Sequence, residues 1–370
     1  MSDRKLKVGI VGLQPGRSWA ARAHVPALNA LADRFEIAGI ANSTLASSER
    51  AVAETGAGRA FASVAELVAS REIDMVSVTV KVAHHLEIVK AALEAGKHAY
   101  CEWPLGNGLA EADALATLAR EKGVLAVVGT QAVVAPEIVH IRRMVAAGDL
   151  GTILSVTVVA RGGGWGGTVA NKSTDAYLLD KAGGATMLTI PVGHMLAALT
   201  DIFGPLATLS SVLATRRPSA RVNDTGEQIP TDAPDQVLVN GMLVSGAPVS
   251  IHYRGGMPRD RNGLLWEING THGDVRIIAP FGHVQLAPLR LEAAIGPDAA
   301  FTPIDLSEQS IGFPENPAAE NVARIYARIA ADLRDGTRTA PSFDDAVAVH
   351  RILAAIERSA DDGSRIVLQQ

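Results

Sequence analysis

A single cysteine, Cys101, stands in 370 residues, so no internal disulfide can form and the fold rests on packing alone. That thiol closes an apolar stretch beside Glu102 and reads as a buried, unreactive side chain. No apolar run approaches the roughly 20 residues that cross a bilayer. The opening MSDRKLKVGI enters a strand at once, without an apolar leader. The expectation is a cytoplasmic protein with no membrane partner. Basic excess is missing too: 34 Lys and Arg against 39 Asp and Glu leave a net charge of −5. With no basic tail or patch to neutralise a phosphate backbone, nucleic acid is not an expected partner. Metal-ligand spacing is also lacking, because His84 and His85 are adjacent and cannot form the i, i+4 pair of helical zinc sites. No metal is expected. Internal repeats and low-complexity linkers are absent as well.

What is present is apolar bulk. Hydrophobic residues make up 48% of the chain, enough at this length for two domains with large cores. Residues 1–130 alternate strands with amphipathic helices. An apolar strand from Lys5 runs into a glycine turn and a helix over Ser18–Leu31. Strands follow at Phe35–Ile40, Ile73–Val80, His98–Glu102 and Val124–Gly129. Helices intervene at Ala46–Thr55, from Ser63 with Glu66 completing a capping box, at His85–Ala95 before Gly96, and at Leu109–Lys122. This alternation predicts an α/β, doubly wound parallel sheet of the Rossmann, dinucleotide-binding type.

Residues 131–370 change rhythm. Strands are predicted at Thr152–Arg161, Leu206–Thr215, Gln236–Val244, Val249–Arg254, Leu264–Asn269, Asp274–Ala279 and His283–Leu289, with a last one at Ser364–Gln369. Turns such as Gly255-Gly256 separate them and point to an α+β domain with a largely antiparallel open sheet. Helices at Gly184–Ile202, Asn321–Asp335 and Phe343–Ala360 would cover one face. The other face needs cover, so a homo-oligomer, dimer or tetramer, is expected.

The first chemical signal is the turn Gly12-x-x-x-Gly16 between strand and helix. Glycines let the backbone approach a pyrophosphate, and the helix N-terminus offers unpaired N–H groups. The usual G-x-G-x-x-G is not met: its second and third glycines would fall at Gln14 and Arg17. A nicotinamide cofactor is implied, with Gly12, Gln14, Gly16 and Arg17 around it; a tight turn that binds nothing is the alternative. At the end of the second strand stand Asn42, Ser43 and Thr44, with no acid to accept from the ribose 2′-hydroxyl. Neutral donors there and the charge of Arg17 favour NADP, with NAD tolerated. An ordinary polar loop would look the same.

Four segments carry a wider resemblance: VGIVG, HHLEIVKAALEAGKHAYCEWPL from His84 to Leu105, GGATMLTIPVGH from Gly183 to His194, and WEINGTHGDVRI. Together they resemble the Gfo/Idh/MocA family over essentially the whole chain. The turn through Ser18-Trp19, the tripeptide Glu102-Trp103-Pro104 and Arg161-Gly-Gly-Gly-Trp165 are most similar to the branch containing the yeast galactose repressor. The resemblance implies an NAD(P)-dependent oxidoreductase acting on a sugar, cyclitol or related polyhydroxylated small molecule. The branch also implies a silent dinucleotide- or sugar-sensing regulator, and a non-oxidative sugar-modifying enzyme that recycles its cofactor is a third reading.

Two departures matter. The family usually carries Glu-Lys-Pro after the fifth strand, and the lysine is Trp103 here. An indole can neither hold positive charge near an alkoxide nor pass a proton. The family also often places Asp four residues before a histidine; the histidine is His194, and Ile190 stands at the Asp position. Lys81, directly after the strand Ile73–Val80, is the best substitute cation, unless it is a solvent-facing strand-end lysine. By its family position His85 is expected near the cofactor ribose; Glu102, at a strand's C-terminal end, faces the cofactor or makes a structural hydrogen bond, and Trp103 stacks on the nicotinamide or a sugar face or packs between the domains. His194 and Tyr177 are the acid/base candidates, with Lys81. Trp165 on its glycine-rich loop, Lys172, Tyr177, Asp180 and His194 form the expected substrate side; oligomer contacts are the alternative. Arg254, Arg259 and Arg261 flank Gly255-Gly256 and read first as a solvated turn, second as a clamp for an anion.

Overall fold

In the computed structural model, which describes residues 4–260, 262–313 and 316–368, the chain divides into two units. The first runs to Gln131 and resumes over Ser310–Ala348. Its strands are β1 (Leu6–Val11), β2 (Phe35–Ala41), β3 (Arg59–Phe61), β4 (Met75–Val78), β5 (His98–Glu102) and β6 (Ala126–Gly129). They pair in parallel in the order β3-β2-β1-β4-β5-β6. All four residues of β4 are buried, as a strand covered on both faces requires. The order reverses at β1 and β4, so the crevice beyond their C-terminal ends is where a ligand has room.

Helices α1 (Val25–Ala30), α2 (Leu45–Thr55), α3 (Val64–Ala69), α4 (His85–Glu94) and α5 (Leu109–Lys122) connect these strands, α1 being preceded by a π-helical turn at Ala20–His24. Local chemistry sets their ends. Thr44 Oγ1 accepts from the Ser47 N–H to start α2, which stops at Gly56 with φ +65°. Ser63 Oγ accepts from the Glu66 N–H, while the Glu66 carboxylate reaches back to the Ala62 N–H, one residue earlier than a capping box requires.

The second unit holds α6 (Pro136–Ala147), β7 (Ile153–Arg161), β8 (Thr168–Val169), α7 (Lys172–Asp175), α8 (Gly193–Phe203), β9 (Leu206–Ala214), β10 (Ser219–Val222), β11 (Gln228–Pro230) and β12 (Gln236–Leu243). After these come β13 (Pro248–Arg254), β14 (Leu264–Gly270), β15 (Gly273–Ala279), β16 (Arg290–Ile295), β17 (Thr302–Ile304) and β18 (Ile366–Val367). Nine of the strands form a sheet in the order β17-β16-β15-β14-β7-β13-β12-β9-β18. Its ladders are antiparallel except β7 with β13. Burial alternates along it: Val156, Val158, Ala160, Ile251, Tyr253, Trp266 and Ile268 are buried, while Val159, Arg161, His252, Arg254 and Leu265 on the opposite face are half-buried or exposed. A small sheet, β11-β10-β8, closes over Val169, Leu179, Ala220 and Val222.

Three expectations are corrected. The strand read at His283–Leu289 is a turn in which Leu286 and Ala287 N–H groups both reach the His283 carbonyl; Pro288 has no N–H for a ladder, and the strand is β16. The last strand shrinks to Ile366–Val367, and Gln369 lies outside the described residues. The division at residue 130 is incomplete, because the segment Ser310–Ala348 returns to the first unit. That segment holds α9 (Pro317–Asp335) and the start of α10 (Phe343–Asp362). Asn316 caps α9 at Ala319 and donates to the Arg22 carbonyl, and Tyr326 enters the first unit's core fully buried. No helix among the described residues is long and apolar enough to cross a membrane.

Candidate functional site

At the C-terminal ends of β1, β2 and β4 lies a cleft of about 540 Å³, lined by Gly12, Gln14, Asn42 and Ser43 together with an apolar wall that includes Val64, Ala65 and Ile88. Gly12 holds φ +99°, and a Cβ there would come within 2.7 Å of Val80 Cγ1 and 3.2 Å of the Thr79 carbonyl. Only glycine fits that approach of turn to strand. Ser18 Oγ accepts from the N–H groups of Gln14 (2.9 Å) and Ala21 (3.2 Å), which fixes the turn at the start of the following helical segment. Arg17 Nε donates to Gln14 Oε1 at 3.1 Å, and Gly16 holds φ +73° in open space. The indole Nε1 of Trp19 is buried without a hydrogen-bond partner.

Asn42 ties this turn to α2. Its Nδ2 donates to the carbonyls of Leu13 (2.8 Å) and Ser47 (3.0 Å), so both amide hydrogens are spent and Oδ1 is left buried with no partner. Thr44 is likewise absorbed, its hydroxyl hydrogen-bonded to the Ser47 N–H and Oγ. Among the described residues, the cleft wall carries one carboxylate, Glu87, hydrogen-bonded by His84 at 3.3 Å, and neither Lys nor Arg. A glycine cradle, an apolar wall and an orphaned acceptor fit a dinucleotide.

Beside the cleft, the loops after β4 and β5 are braced by His85. Expected against the ribose, it is 1% exposed instead, with Nδ1 at 2.8 Å from the Pro104 carbonyl and Nε2 at 3.1 Å from that of Val80. Burial pushes its pKa below the ordinary imidazole range. Its neighbour His84 is the one that lines the cleft. Lys81 stands exposed just after β4, and Trp103 is 5% exposed, joined to Pro104 by a cis peptide. Cys101 is fully buried, and burial followed by the nearby Glu102 raises its thiol pKa well above the usual value.

Glu102 sits in a network that sequence reasoning missed. Its carboxylate accepts from His24 Nε2 (2.8 Å) and Gln131 Nε2 (2.7 and 2.9 Å). Tyr326 Oη lies 2.9 Å from His24 Nδ1 and 2.7 Å from Ser77 Oγ. With Nε2–H donating to Glu102, Nδ1 is left to accept from Tyr326, and every bond runs toward the carboxylate. A network of five residues whose members stand up to 302 positions apart leaves no local pattern to read.

In the second unit, Trp165 adopts φ +54° on its glycine loop and is 7% exposed. Its Nε1 donates to the Leu178 carbonyl at 2.8 Å, and its ring stacks on His283 with centroids 6.3 Å apart. His194 is buried among apolar residues of α8; burial, then His283, lower its pKa to about 3. Tyr177 is half-buried, with its pKa raised by burial and by Asp175. The structure gives Lys172 an ion pair with Glu227 at 2.7 Å and has Asp180 Oδ1 accept from the Ala182 N–H. Trp165, His283 and His194 are thus brought together, whereas Lys172 and Asp180 have local partners. His283 was hidden by the mistaken strand. Among the described residues no group of His, Cys, Asp and Glu could hold a metal ion.

The profile of the oxidoreductase family with an NAD-binding Rossmann fold matches residues 6–130, and that of the Gal80p C-terminal domain matches residues 136–279. The chain is 30% identical over 308 residues to the galactose/lactose metabolism regulatory protein GAL80 of Kluyveromyces lactis, covering 78% of this chain and 67% of that protein. It is 29% identical over 371 residues to the dehydrogenase aclE of Aspergillus oryzae, covering 98% of each. The solved structure of Gal80p from Kluyveromyces lactis superposes with a TM-score of 0.88 at 27% identity, over 99% of this chain and 92% of that one. Levoglucosan dehydrogenase in complex with NADH and L-sorbose shares the fold, with a TM-score of 0.83 at 22% identity over 99% of each chain. Parallel wound sheet, glycine cradle and open nine-stranded sheet are therefore one inheritance: the chain belongs to the Gfo/Idh/MocA oxidoreductase family, in the branch that includes the Gal80 regulators.

Proposed function

We propose that this chain is a nicotinamide-dependent oxidoreductase acting on a sugar, cyclitol or related polyhydroxylated small molecule. The observation that carries the reading is the 540 Å³ cleft beyond β1, β2 and β4, with a glycine whose Cβ could not be accommodated at its floor. Gly12, Gln14, Gly16, Arg17, Ser18 and Trp19 would hold the pyrophosphate side, and Asn42, Ser43 and Thr44 the adenosine ribose. Glu102, Trp103 and Lys81 would lie toward the nicotinamide. The bound cofactor supplies a hydride acceptor or donor.

The charge of Arg17 favours NADP, with NAD tolerated, while the hydrogen bonding of Asn42 and Thr44 is what supports NAD in this reading. A 2′-phosphate needs donors or cations, and Asn42 and Thr44 have already spent theirs, while the lining charge is the negative Glu87. The levoglucosan dehydrogenase neighbour is a complex with NADH.

Of the three acid/base candidates, Tyr177 and Lys81 would move the proton. With a pKa near 3, His194 stays uncharged at neutral pH and serves as a hydrogen-bonding group that orients a substrate hydroxyl. Tyr177 keeps its proton, its pKa being raised, and can donate it as a carbonyl is reduced. Trp165 offers a flat ring to a sugar face. A homo-oligomer would cover the open face of the nine-stranded sheet, where Leu265 and Val212 are exposed.

The test is steady-state nicotinamide absorbance across a panel of polyols, aldoses and keto-sugars. Turnover with at least one member, faster with NAD(H) than with NADP(H), is expected; silence with every member contradicts it. One observation favours a second reading, a dinucleotide-binding regulator: the buried indole of Trp103 occupies the position of the family's lysine. Tight cofactor binding with no turnover on any substrate would select it.

A further inference from the structure

A positive cluster at the C-terminal ends of β7 and β13 has no part in the function proposed above. Arg161 and Arg254 are direct partners in that parallel ladder. Both alternate with buried residues, Ala160 and Tyr253, so their side chains leave the sheet on the same face. Like charges set opposite each other on a sheet repel. Burial, and next the charge of Arg254, lower the pKa of the Arg161 guanidinium. Arg259 adds a third charge from the exposed loop after β13. A fourth, Arg217, is engaged by Asp235 at 3.2 Å.

Counter-charge is scarce. Asp235 already accepts from the N–H groups of Arg216 and Arg217; Asp260, hydrogen-bonded by the backbone and side chain of Asn262, is the carboxylate whose charge attracts Arg161. Among the described residues no hydrogen bond or ion pair engages the side chains of Arg161, Arg254 or Arg259, and Arg254 Nε is buried without a partner. A buried charged donor left unmade is costly, and a folded protein tolerates it where something outside the chain satisfies it. Arg261, which borders the cluster in sequence, lies outside the described residues.

We propose that Arg161, Arg254 and Arg259 form a binding site for a small anionic ligand, taking its phosphate or carboxylate group at this end of the open sheet face. Guanidinium forks suit either group, because each presents parallel N–H donors to paired oxygens. Bound anion would relieve the repulsion between the ladder partners and give Arg254 Nε its acceptor.

The test uses the full chain with inorganic phosphate as probe, at an ionic strength held constant with chloride, read by calorimetric binding and thermal midpoint. Wild type is expected to bind phosphate and melt higher in its presence. Arg161→Gln and Arg254→Gln should each weaken binding about tenfold and, without phosphate, melt above wild type because a repulsion has been removed. Arg259→Gln, in an exposed loop, guards against misfolding of the strand variants: it should weaken binding and leave the phosphate-free midpoint unchanged. The proposal is overturned if wild type responds to phosphate no more than to chloride. It is equally overturned if all three variants respond as wild type does, which would mean an adventitious ion only. A wild-type midpoint that ignores phosphate but climbs with protein concentration would assign the arginines to carboxylates of a second copy, and would overturn it too.

Discussion

Gly12 shows how one backbone position decides whether a ligand can approach. Its φ of +99° is open to glycine and strained for any other residue, and the nearest obstacle to a Cβ, Val80, lines the same cleft. Gly12→Ala should therefore cost about 1–3 kcal/mol of stability and weaken dinucleotide binding at least tenfold, measured by urea unfolding and calorimetric titration; unchanged affinity would contradict the role given to the turn. The turn itself was legible because Gly, Ser and a following helix are local signals. Asn42 was legible as a polar residue in the right place, but its function was not. The amide orientation depends on the Leu13 carbonyl, 29 residues away. The same holds for His85, whose family position implied a ribose contact while its buried ring sits between the carbonyls of Val80 and Pro104, one of which takes its single N–H.

At the scale of elements, long periodic segments declared themselves. Helix α5 and strand β5 fall on the residues expected, because Gly123 ends the helix and Gly96 ends the one before a short strand with a buried Ala-Tyr-Cys centre, signals set by nearest neighbours. Short or mixed segments did not. β3 has three residues, too few for a period, and the two residues of β8 are paired only through the distant β10. The most consequential omission is that α9 belongs to the first unit, since helix periodicity marks an apolar face without naming what it packs against. Tyr326 is the residue that makes α9 part of the nucleotide-binding fold. Tyr326→Phe keeps the ring but removes the hydroxyl between His24 and Ser77, leaving buried polar atoms unpaired at a cost of about 1–3 kcal/mol. A fall in the urea midpoint of that size is expected; no change would mean the network is not part of what holds α9.

For the whole molecule, two units with different sheets could be read from the change of rhythm near residue 130, and the family from segments spread over the full length. The chemistry is harder to read from either source. Trp103 and Ile190 stand where the resemblance led one to expect Lys and Asp, and His194 is too deeply buried to titrate near neutrality. What persists through those substitutions is the coenzyme cradle, which fits both the oxidoreductase and the regulator. Its occupancy is thus the central claim, and isothermal titration of the purified full chain with NAD+, NADH and NADP+ tests it most directly. Saturable one-to-one binding of NAD+ or NADH, tighter than that of NADP+, is the predicted result; no heat with any of the three would contradict the account.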